Sequence, residues 1–256
     1  MKTYKLYFFI FVFTLPLFQG CETLTNVANT IGKSGVVTQP LTEGQIANGL
    51  KEALNVGISN GVKTLVKKDG YFGNSLLKIL LPKEVQEAQN LITKYVPNGQ
   101  NLLNNLVLKM NRAAEDAANE AAPIFKDAIT SMSINDAKGI LFGADSAATN
   151  YLRNKTESKL TAAYSPKINN SLSKVGATQA WKALADPYNK FANSTVGKLI
   201  NGVKPINNNL GNYVTQRALG GLFYKVRQEE NKIRKNVSAR VTSLLQRVFG
   251  ELDKKK

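Results

Sequence analysis

The 256 residues of this sequence include no histidine and only one cysteine. Without histidine, the chain lacks Ser-His-Asp and Cys-His catalysis, imidazole general bases and histidine metal sites. A single cysteine excludes an intramolecular disulfide and a thiolate zinc or iron–sulfur site within this chain. We therefore expect a function that depends on none of these groups, and we predict no cofactor.

Acidic residues are also scarce: 18 Asp and Glu stand against 34 Lys and Arg, giving a formal net charge of +16. Charged residues make up only 20% of the chain and apolar residues 43%, so the composition is not that of a disordered polyelectrolyte. A chain of this length can bury a sizeable core. The excess of positive charge favours an anionic partner.

Long apolar runs are missing except at the start, where residues 6–18 are almost purely apolar. This run is too short to span a bilayer, which takes about 20 residues in a helix. Lys2 and Lys5 precede it and form a positive flank. A positive flank followed by a short apolar run is typical of a secretory signal peptide, which we predict over residues 1–20.

The only cysteine, Cys21, follows directly after this segment. Residues 17–20, Leu-Phe-Gln-Gly, followed by cysteine resemble the lipobox of bacterial lipoproteins, in which the cysteine is acylated and becomes the mature N-terminus. Several acyl chains anchor a protein stably. The alternative is an ordinary signal peptide with a chance cysteine. Glu22, rather than Asp, resembles an outer-membrane address, and residues 21–40 have the composition of a flexible tether.

From residue 41 onward the apolar residues recur at helical spacing, and no alternating strand pattern is present. Thr42 with Gln45 is typical of a capping box, and Ser133 with Asp136 also marks a helix start. We predict an all-α bundle of about eight helices. The first helix is rich in glycine, which predicts either a close helix crossing or a weak, mobile helix, at Gly44, Gly49, Gly57 and Gly61.

Prolines predict where the longer helices kink or end. Pro123 should kink or split the longest helical pattern, over residues 100–132, and Pro166 should kink the next one. Pro187 should break the helix that follows. Residues 189–212 are rich in Asn and Gly, and we predict that they are loosely structured.

Short stretches along the helical part carry a pattern known from one bacterial family. They lie at residues 110–115, 120–125, 136–137, 147–151, 155–156, 213–215, 218–219, 221–223, 229–230 and 233–234. Together they resemble the family of domain of unknown function 4197, over residues 41–250. The resemblance implies a secreted or lipid-anchored helical protein of the cell envelope. It implies no reaction and assigns no catalytic residue.

Charged and amide residues recur one helical turn apart on two predicted helices. If the helices face each other, the groups form an interhelical ion network. They form a solvated face if the helices are exposed, or a functional pocket if two carboxylates share a cleft with a raised pKa. The candidate polar cluster consists of Asn111, Arg112, Glu115, Glu120, Glu229, Glu230 and Arg234.

Basic residues concentrate toward the C-terminus. Interleaved aromatic residues are sparse there, and an exported chain does not meet nucleic acid, so we predict no nucleic-acid partner. An anionic lipid, lipopolysaccharide or peptidoglycan fits the predicted compartment, and a merely solvated face is the alternative. The cluster consists of Lys225, Arg227, Lys232, Arg234, Lys235, Arg240, Arg247 and residues 254–256. We predict that the final helix and Trp181 pack in the core.

These patterns combine into one functional hypothesis with two alternatives. We predict a single helical domain at residues 41–250, a basic tail at residues 251–256, and a lipid anchor that holds the protein at the outer membrane, facing the periplasm. Its function would be non-enzymatic binding or scaffolding, with an envelope protein, anionic lipid or glycan as partner. A lipid-binding carrier would need a large enclosed apolar cavity. A carboxylate-based envelope hydrolase would use two of Glu115, Glu120, Glu229 and Glu230.

Overall fold

A computed structural model describes residues 40–206 and 209–254 and places most of them in helices. No strand occurs in this part of the chain, which confirms the all-α prediction. The predicted signal peptide, Cys21 and residues 22–39 lie outside the described residues. The α-helices are α1 Glu43–Leu65, α2 Lys83–Glu87, α3 Gln89–Tyr95, α4 Gly99–Ala117, α5 Ala121–Thr130, α6 Ile134–Leu141, α7 Ala147–Lys174, α8 Ala177–Asn193, α9 Thr195–Leu199, α10 Leu210–Lys235 and α11 Ser243–Asp253.

Both predicted helix starts are confirmed. The Thr42 hydroxyl accepts the Gln45 N–H, and the Gln45 side chain accepts the Thr42 N–H, as a capping box requires. Ser133 and Asp136 form the same reciprocal pair at the start of α6. Hydrogen bonds from the Ser133 hydroxyl and N–H hold the pKa of the Asp136 carboxyl below its ordinary value.

The glycines of α1 mark a close helix crossing, the first of the two predicted alternatives. A Cβ added at Gly49 would lie 2.6 Å from Cγ2 of Val248 on α11. A Cβ added at Gly57 would lie 3.3 Å from Cβ of Glu229 on α10. Side chains of α10 and α11 therefore pack directly against the backbone of α1 at these two glycines.

The prolines interrupt fewer helices than predicted. The long pattern does split, because a 3₁₀ turn at Ala118–Glu120 separates α4 from α5 and ends three residues before Pro123. Helices α7 and α8, however, run through Pro166 and Pro187 without a break. The predicted break at Pro187 is wrong. Buried side chains on both sides of the proline, including Leu184 and Tyr188, pack the helix in place despite the missing N–H.

The prediction of loose structure for residues 189–212 is wrong in part. Helix α8 continues to Asn193, and α9 follows after a single residue. Ser194 caps α9 and Asn209 caps α10, each by accepting a backbone N–H three residues later. The Ser and Asn residues that indicate a loop in the sequence therefore begin helices in the structure.

The two longest helices, α7 and α10, pack against each other along much of their length. Helix α1 covers α10 on one side, and α4 contacts α7 and α8. Phe125 of α5 meets Phe223 of α10 edge to face, with ring centroids 5.8 Å apart. The final helix α11 packs on α1 and α10 with Leu245, Val248 and Phe249 buried, as predicted.

The described residues from Leu41 onward form one compact unit. Its continuous core draws on most of the helices and on the segment between α1 and α2. Within the part of the chain that the structure describes, no helix has both the length and the hydropathy needed to cross a membrane.

Candidate functional site: the buried polar groups and the Trp181 grooves

Asn111 is fully buried on α4 and links the segment between α1 and α2 to the helix bundle. Its Oδ1 accepts the N–H of Ile79 at 2.8 Å, and its Nδ2 donates to the Ile79 carbonyl at 2.8 Å. The same Nδ2 also donates to the carbonyl of Val107 at 2.7 Å. The amide thus pairs with both backbone groups of one residue, as a neighbouring strand would.

Arg112 and Glu115, on the same helix, hold the loop that follows α1. Arg112 Nη1 lies 2.6 Å from Glu115 Oε2, and its Nη2 lies 2.7 Å from Oδ1 of Asp69. The other Glu115 oxygen accepts the N–H groups of Tyr71 and Phe72 at 3.1 and 3.2 Å. Hydrogen bonds to Glu115 and then Asp69 raise the pKa of the Arg112 guanidinium further, so Arg112 stays charged.

Glu230 and Arg234 form a second buried pair, one turn apart on α10, which joins two other helices. Glu230 accepts the N–H groups of Ala148 and Thr149, both at 2.9 Å, at the start of α7. Arg234 donates to Glu230 at 3.0 Å and to the carbonyls of Ile140 and Leu141 at the end of α6. A carboxylate at a helix N-terminus and a guanidinium at a C-terminus both match the helix dipole.

The two remaining carboxylates of the candidate polar cluster have different surroundings. Glu229 is buried and pairs with Lys232 at 2.7 Å on its own helix. Glu120 lies in the 3₁₀ turn, is about 38% exposed in its side chain, and pairs with Lys167 at 3.3 Å. Within the described residues, no ion pair or hydrogen bond joins the set on α4 to the set on α10, so each set serves its own junction.

The basic cluster predicted near the C-terminus is partly internal. Arg234 is 5% exposed and Arg240 is 2% exposed. Arg240 donates to the carbonyls of Ile233 and Arg234 at the end of α10, and its guanidinium pairs with Asp253 at 2.5 Å. Sequence reasoning missed this role because the Arg240 partners lie beyond the next turn. A basic residue just after a helix C-terminus is the only local signal for it.

Two grooves flank Trp181, the only tryptophan of the chain. Trp181 is 4% exposed, which confirms its predicted place in the core, and its indole N–H has no hydrogen-bond partner in the described structure. The first groove, of about 230 Å³, is lined by Pro82, Glu84, Val85, Trp181, Ile206, Asn209, Leu210, Asn212, Tyr213 and Gln216. The second, of about 220 Å³, is lined by Asn169, Leu172, Thr178, Trp181, Lys182, Asp186, Asn209, Leu210 and Gly211.

The linings of these grooves carry uncharged amides next to a few charged residues, Glu84 in the first groove and Lys182 and Asp186 in the second. Asn212 and Gln216 line the first groove, and Asn169 lines the second. An amide side chain donates and accepts at once, so it suits ligands with hydroxyl or amide groups. The indole N–H itself is buried, so a molecule in either groove meets other atoms of Trp181 and not this N–H. Sequence reasoning placed Trp181 in the core but did not find these grooves.

An apolar cavity lies beneath α1, α10 and α11. It is lined mainly by aliphatic side chains, with Glu230 and Arg234 at one end, and has a volume of about 20 Å³. A space of this size holds about one water molecule. Among the described residues, no group of three carboxylate or thiol side chains is placed to hold a metal ion.

The loop that follows α1 contains a buried tyrosine, Tyr71, whose pKa predicts how the stability of the protein changes at alkaline pH. Tyr71 is fully buried, and its hydroxyl donates to the Ala218 carbonyl at 2.9 Å. Burial first, and the nearby Glu115 charge second, raise its pKa far above the usual value of 10.0. The unfolded chain loses this proton near its ordinary pKa, so the stabilisation is complete below about pH 10 and falls as pH rises, by up to ~1.4 kcal/mol per pH unit.

We expect Tyr71→Phe to make the alkaline fall in the free energy of unfolding shallower, while costing about 1 kcal/mol at neutral pH for the lost hydrogen bond. Urea titrations followed by circular dichroism at several alkaline pH values measure both effects. Tyr164 is also buried and its pKa is also raised, so part of the fall in the free energy of unfolding at alkaline pH remains in Tyr71→Phe. Tyr224→Phe, at a residue 38% exposed, is the control. Equal slopes for Tyr71→Phe and the wild type would contradict the assignment.

Comparison with known proteins adds one result. No curated protein and no solved structure matches this chain. One family matches residues 40–250, nearly the whole part described above, and its description is Protein of unknown function (DUF4197). The chain therefore belongs to this family, as its short sequence stretches predicted.

Proposed function

We propose that this protein is a lipid-anchored component of the bacterial cell envelope whose helical domain binds a partner without catalysing a reaction. The anchor is Cys21, and the protein faces the periplasm from the outer membrane. The anchor rests on the sequence of residues 1–22 alone. The binding role rests on one observation: the buried charged groups are paired within the protein, whereas two grooves with amide groups in their lining stay open beside Trp181.

The occupied state of the carboxylates argues for binding over hydrolysis. Both oxygens of Glu115 are engaged, by Arg112 and by the N–H groups of the loop after α1. Both oxygens of Glu230 are engaged as well, by Arg234 and by the start of α7. A general base or nucleophile needs an oxygen that reaches water or substrate. Neither Glu115 nor Glu230 has such an oxygen.

The Trp181 grooves are the place where we expect a ligand. Their amide rims favour an uncharged molecule rich in hydroxyl and amide groups, which is the chemistry of a glycan with N-acetyl substituents. Each groove is smaller than the usual 300–1,000 Å³ site of a drug-sized ligand, so we expect one or two sugar units to be held.

Because the chain has a single tryptophan, its fluorescence reports on these grooves alone. Titration with tri-N-acetylchitotriose should change the indole emission in a saturable way, and Asn212→Ala, at the rim of the first groove, should weaken the response. Gln228→Ala, on α10 outside both grooves, is the matched control. A linear response, or none, would reject glycan binding at this place.

The lipid anchor has its own test. When the full chain is produced in bacteria with radiolabelled palmitate, we expect label in the wild type and none in Cys21→Ser. Globomycin, which blocks lipoprotein signal cleavage, should cause the precursor to accumulate. An unlabelled mature chain with normal processing in globomycin would show that Cys21 follows an ordinary signal peptide.

The hydrolase alternative makes a different prediction. Glu120 is the most exposed carboxylate of the candidate polar cluster, and it pairs with Lys167, whose side chain is also partly exposed. If the protein cleaves glycan, incubation with purified peptidoglycan should release soluble fragments, and Glu120→Gln should stop the release. The lipid-carrier alternative needs a far larger space than the roughly 20 Å³ beneath α1, and extraction of bound lipid from the purified protein tests it.

A further inference from the structure

Helix α9 presents two apolar side chains that are almost wholly exposed. Val196 is 62% exposed and Leu199 is 83% exposed. They lie three residues apart, so they share one face of the helix. Leu199 is the most exposed of the large apolar side chains in the described part of the chain. Single exposed aliphatic residues are ordinary on a protein surface, but a pair on a fixed backbone calls for an explanation.

The backbone beneath this pair is held firmly. Gly197, which together with Lys198 lies between them in sequence, is buried, and a Cβ added there would clash with the carbonyl oxygen of Phe191. Ser194 caps the helix by accepting the Gly197 N–H at 3.0 Å. Helix α9 therefore packs closely on the end of α8, and Val196 and Leu199 remain exposed to solvent.

An aromatic residue extends the same region of the surface. The ring of Tyr95, at the end of α3, stacks on the ring of Phe191 with centroids 4.5 Å apart. Gly197 of α9 also lies against the Phe191 carbonyl, so Tyr95 contacts the same end of α8 on which α9 packs. Tyr95 is 42% exposed. Tyrosine has an apolar ring and a polar tip and is enriched where protein meets the membrane interface.

Lysines accompany each of these side chains. Lys94 adjoins Tyr95 and lies 5.0 Å from its ring centroid, and Lys198 lies between the two exposed aliphatic residues. Lys190 adjoins Phe191. In the described residues no ion pair involves these three lysines, and the nearest acidic residue along α8 is Asp186, one turn before Lys190. We call Tyr95, Val196, Leu199 and these three lysines the α9 surface.

We propose that the α9 surface docks onto a bilayer that contains anionic phospholipid. Val196, Leu199 and the Tyr95 ring enter the headgroup region, and the lysines contact lipid phosphates. Exposed apolar side chains flanked by lysines are the combination that binds such an interface. Three apolar side chains fall well short of the ~20–30 residues a side of a standard protein interface, which argues against a protein partner here.

Vesicle co-sedimentation tests this with the chain from residue 21 onward carrying Cys21→Ser, the predicted mature chain without its acylation site. Far-UV circular dichroism and thermal melting first establish that each variant is folded. We expect binding to vesicles of phosphatidylethanolamine and phosphatidylglycerol and little binding to phosphatidylcholine. Val196→Ser with Leu199→Ser should reduce binding at least fivefold, and Lys190→Gln with Lys198→Gln should do the same.

The control is Val237→Ser with Val241→Ser. These two valines follow the end of α10 and have similar exposed fractions, 61% and 66%. This variant should bind like the wild type. Equal binding by the α9 variants and the wild type would overturn the proposal, as would the absence of binding to anionic vesicles. Self-association in solution that disappears in Val196→Ser with Leu199→Ser would also overturn it, by assigning the surface to a second copy of the chain. The result does not depend on acylation or on the Trp181 grooves.

Discussion

Replacing Arg234 with methionine is expected to lower the free energy of unfolding by about 3–5 kcal/mol, the usual cost of breaking a buried ion pair on one side. Glu230 would lose its charged partner in a site where its side chain is only 4% exposed. The carbonyls of Ile140 and Leu141 would also lose their donors at the end of α6. Urea denaturation followed by circular dichroism measures the loss.

Two further variants separate the charge from the packing. The double change Glu230→Leu with Arg234→Met should recover part of the loss, because no unpaired charge stays buried. Lys235→Met breaks a neighbouring pair, with Asp145 at 2.6 Å, in which both side chains are more than half exposed. That change should cost at most about 1 kcal/mol. If Arg234→Met lowers the free energy of unfolding no more than Lys235→Met does, the Glu230–Arg234 pair does not join the three helices.

Replacing Asn111 with alanine is expected to cost about 2–4 kcal/mol, because each buried backbone group left without a partner costs ~1–3 kcal/mol. Ile79 is 1% exposed, so water cannot readily take over the bonds to its N–H and carbonyl. Asn111→Asp keeps an acceptor for the N–H but has no donor for the carbonyl, and it buries a charge on the helix that carries Glu115. We expect it to cost at least as much.

The chain holds a matched control for this prediction. Asn189 on α8 brackets Ile206 with the same two hydrogen bonds, at 2.8 and 3.2 Å, but at a partly buried position. Water can replace part of these bonds, so Asn189→Ala should cost about 1 kcal/mol. Comparable losses at both sites, or a loss below about 1 kcal/mol for Asn111→Ala, would show that burial does not set the strength of this link.

The candidate polar cluster shows how far sequence reasoning reaches. The pairing of Glu230 with Arg234 follows from their spacing of four residues on one helix, and Arg112 with Glu115 follows in the same way. Their remaining partners do not follow from spacing. Glu230 meets Thr149 from 81 residues away, and Glu115 meets Tyr71 from 44 residues away. Only the packing of the helices brings these groups together.

The glycines of α1 left a close helix crossing and a weak, mobile helix open until the structure showed the crossing. By itself the sequence determined the local features: the all-α class and the helix starts at Thr42 and Ser133. Each depends on residues within one or two turns. The tertiary structure decided which basic residues are internal, that α8 runs through Pro187, and that Val196 and Leu199 stay exposed. These outcomes depend on contacts between residues far apart in the chain, because burial and packing are sums over neighbours that local spacing does not encode.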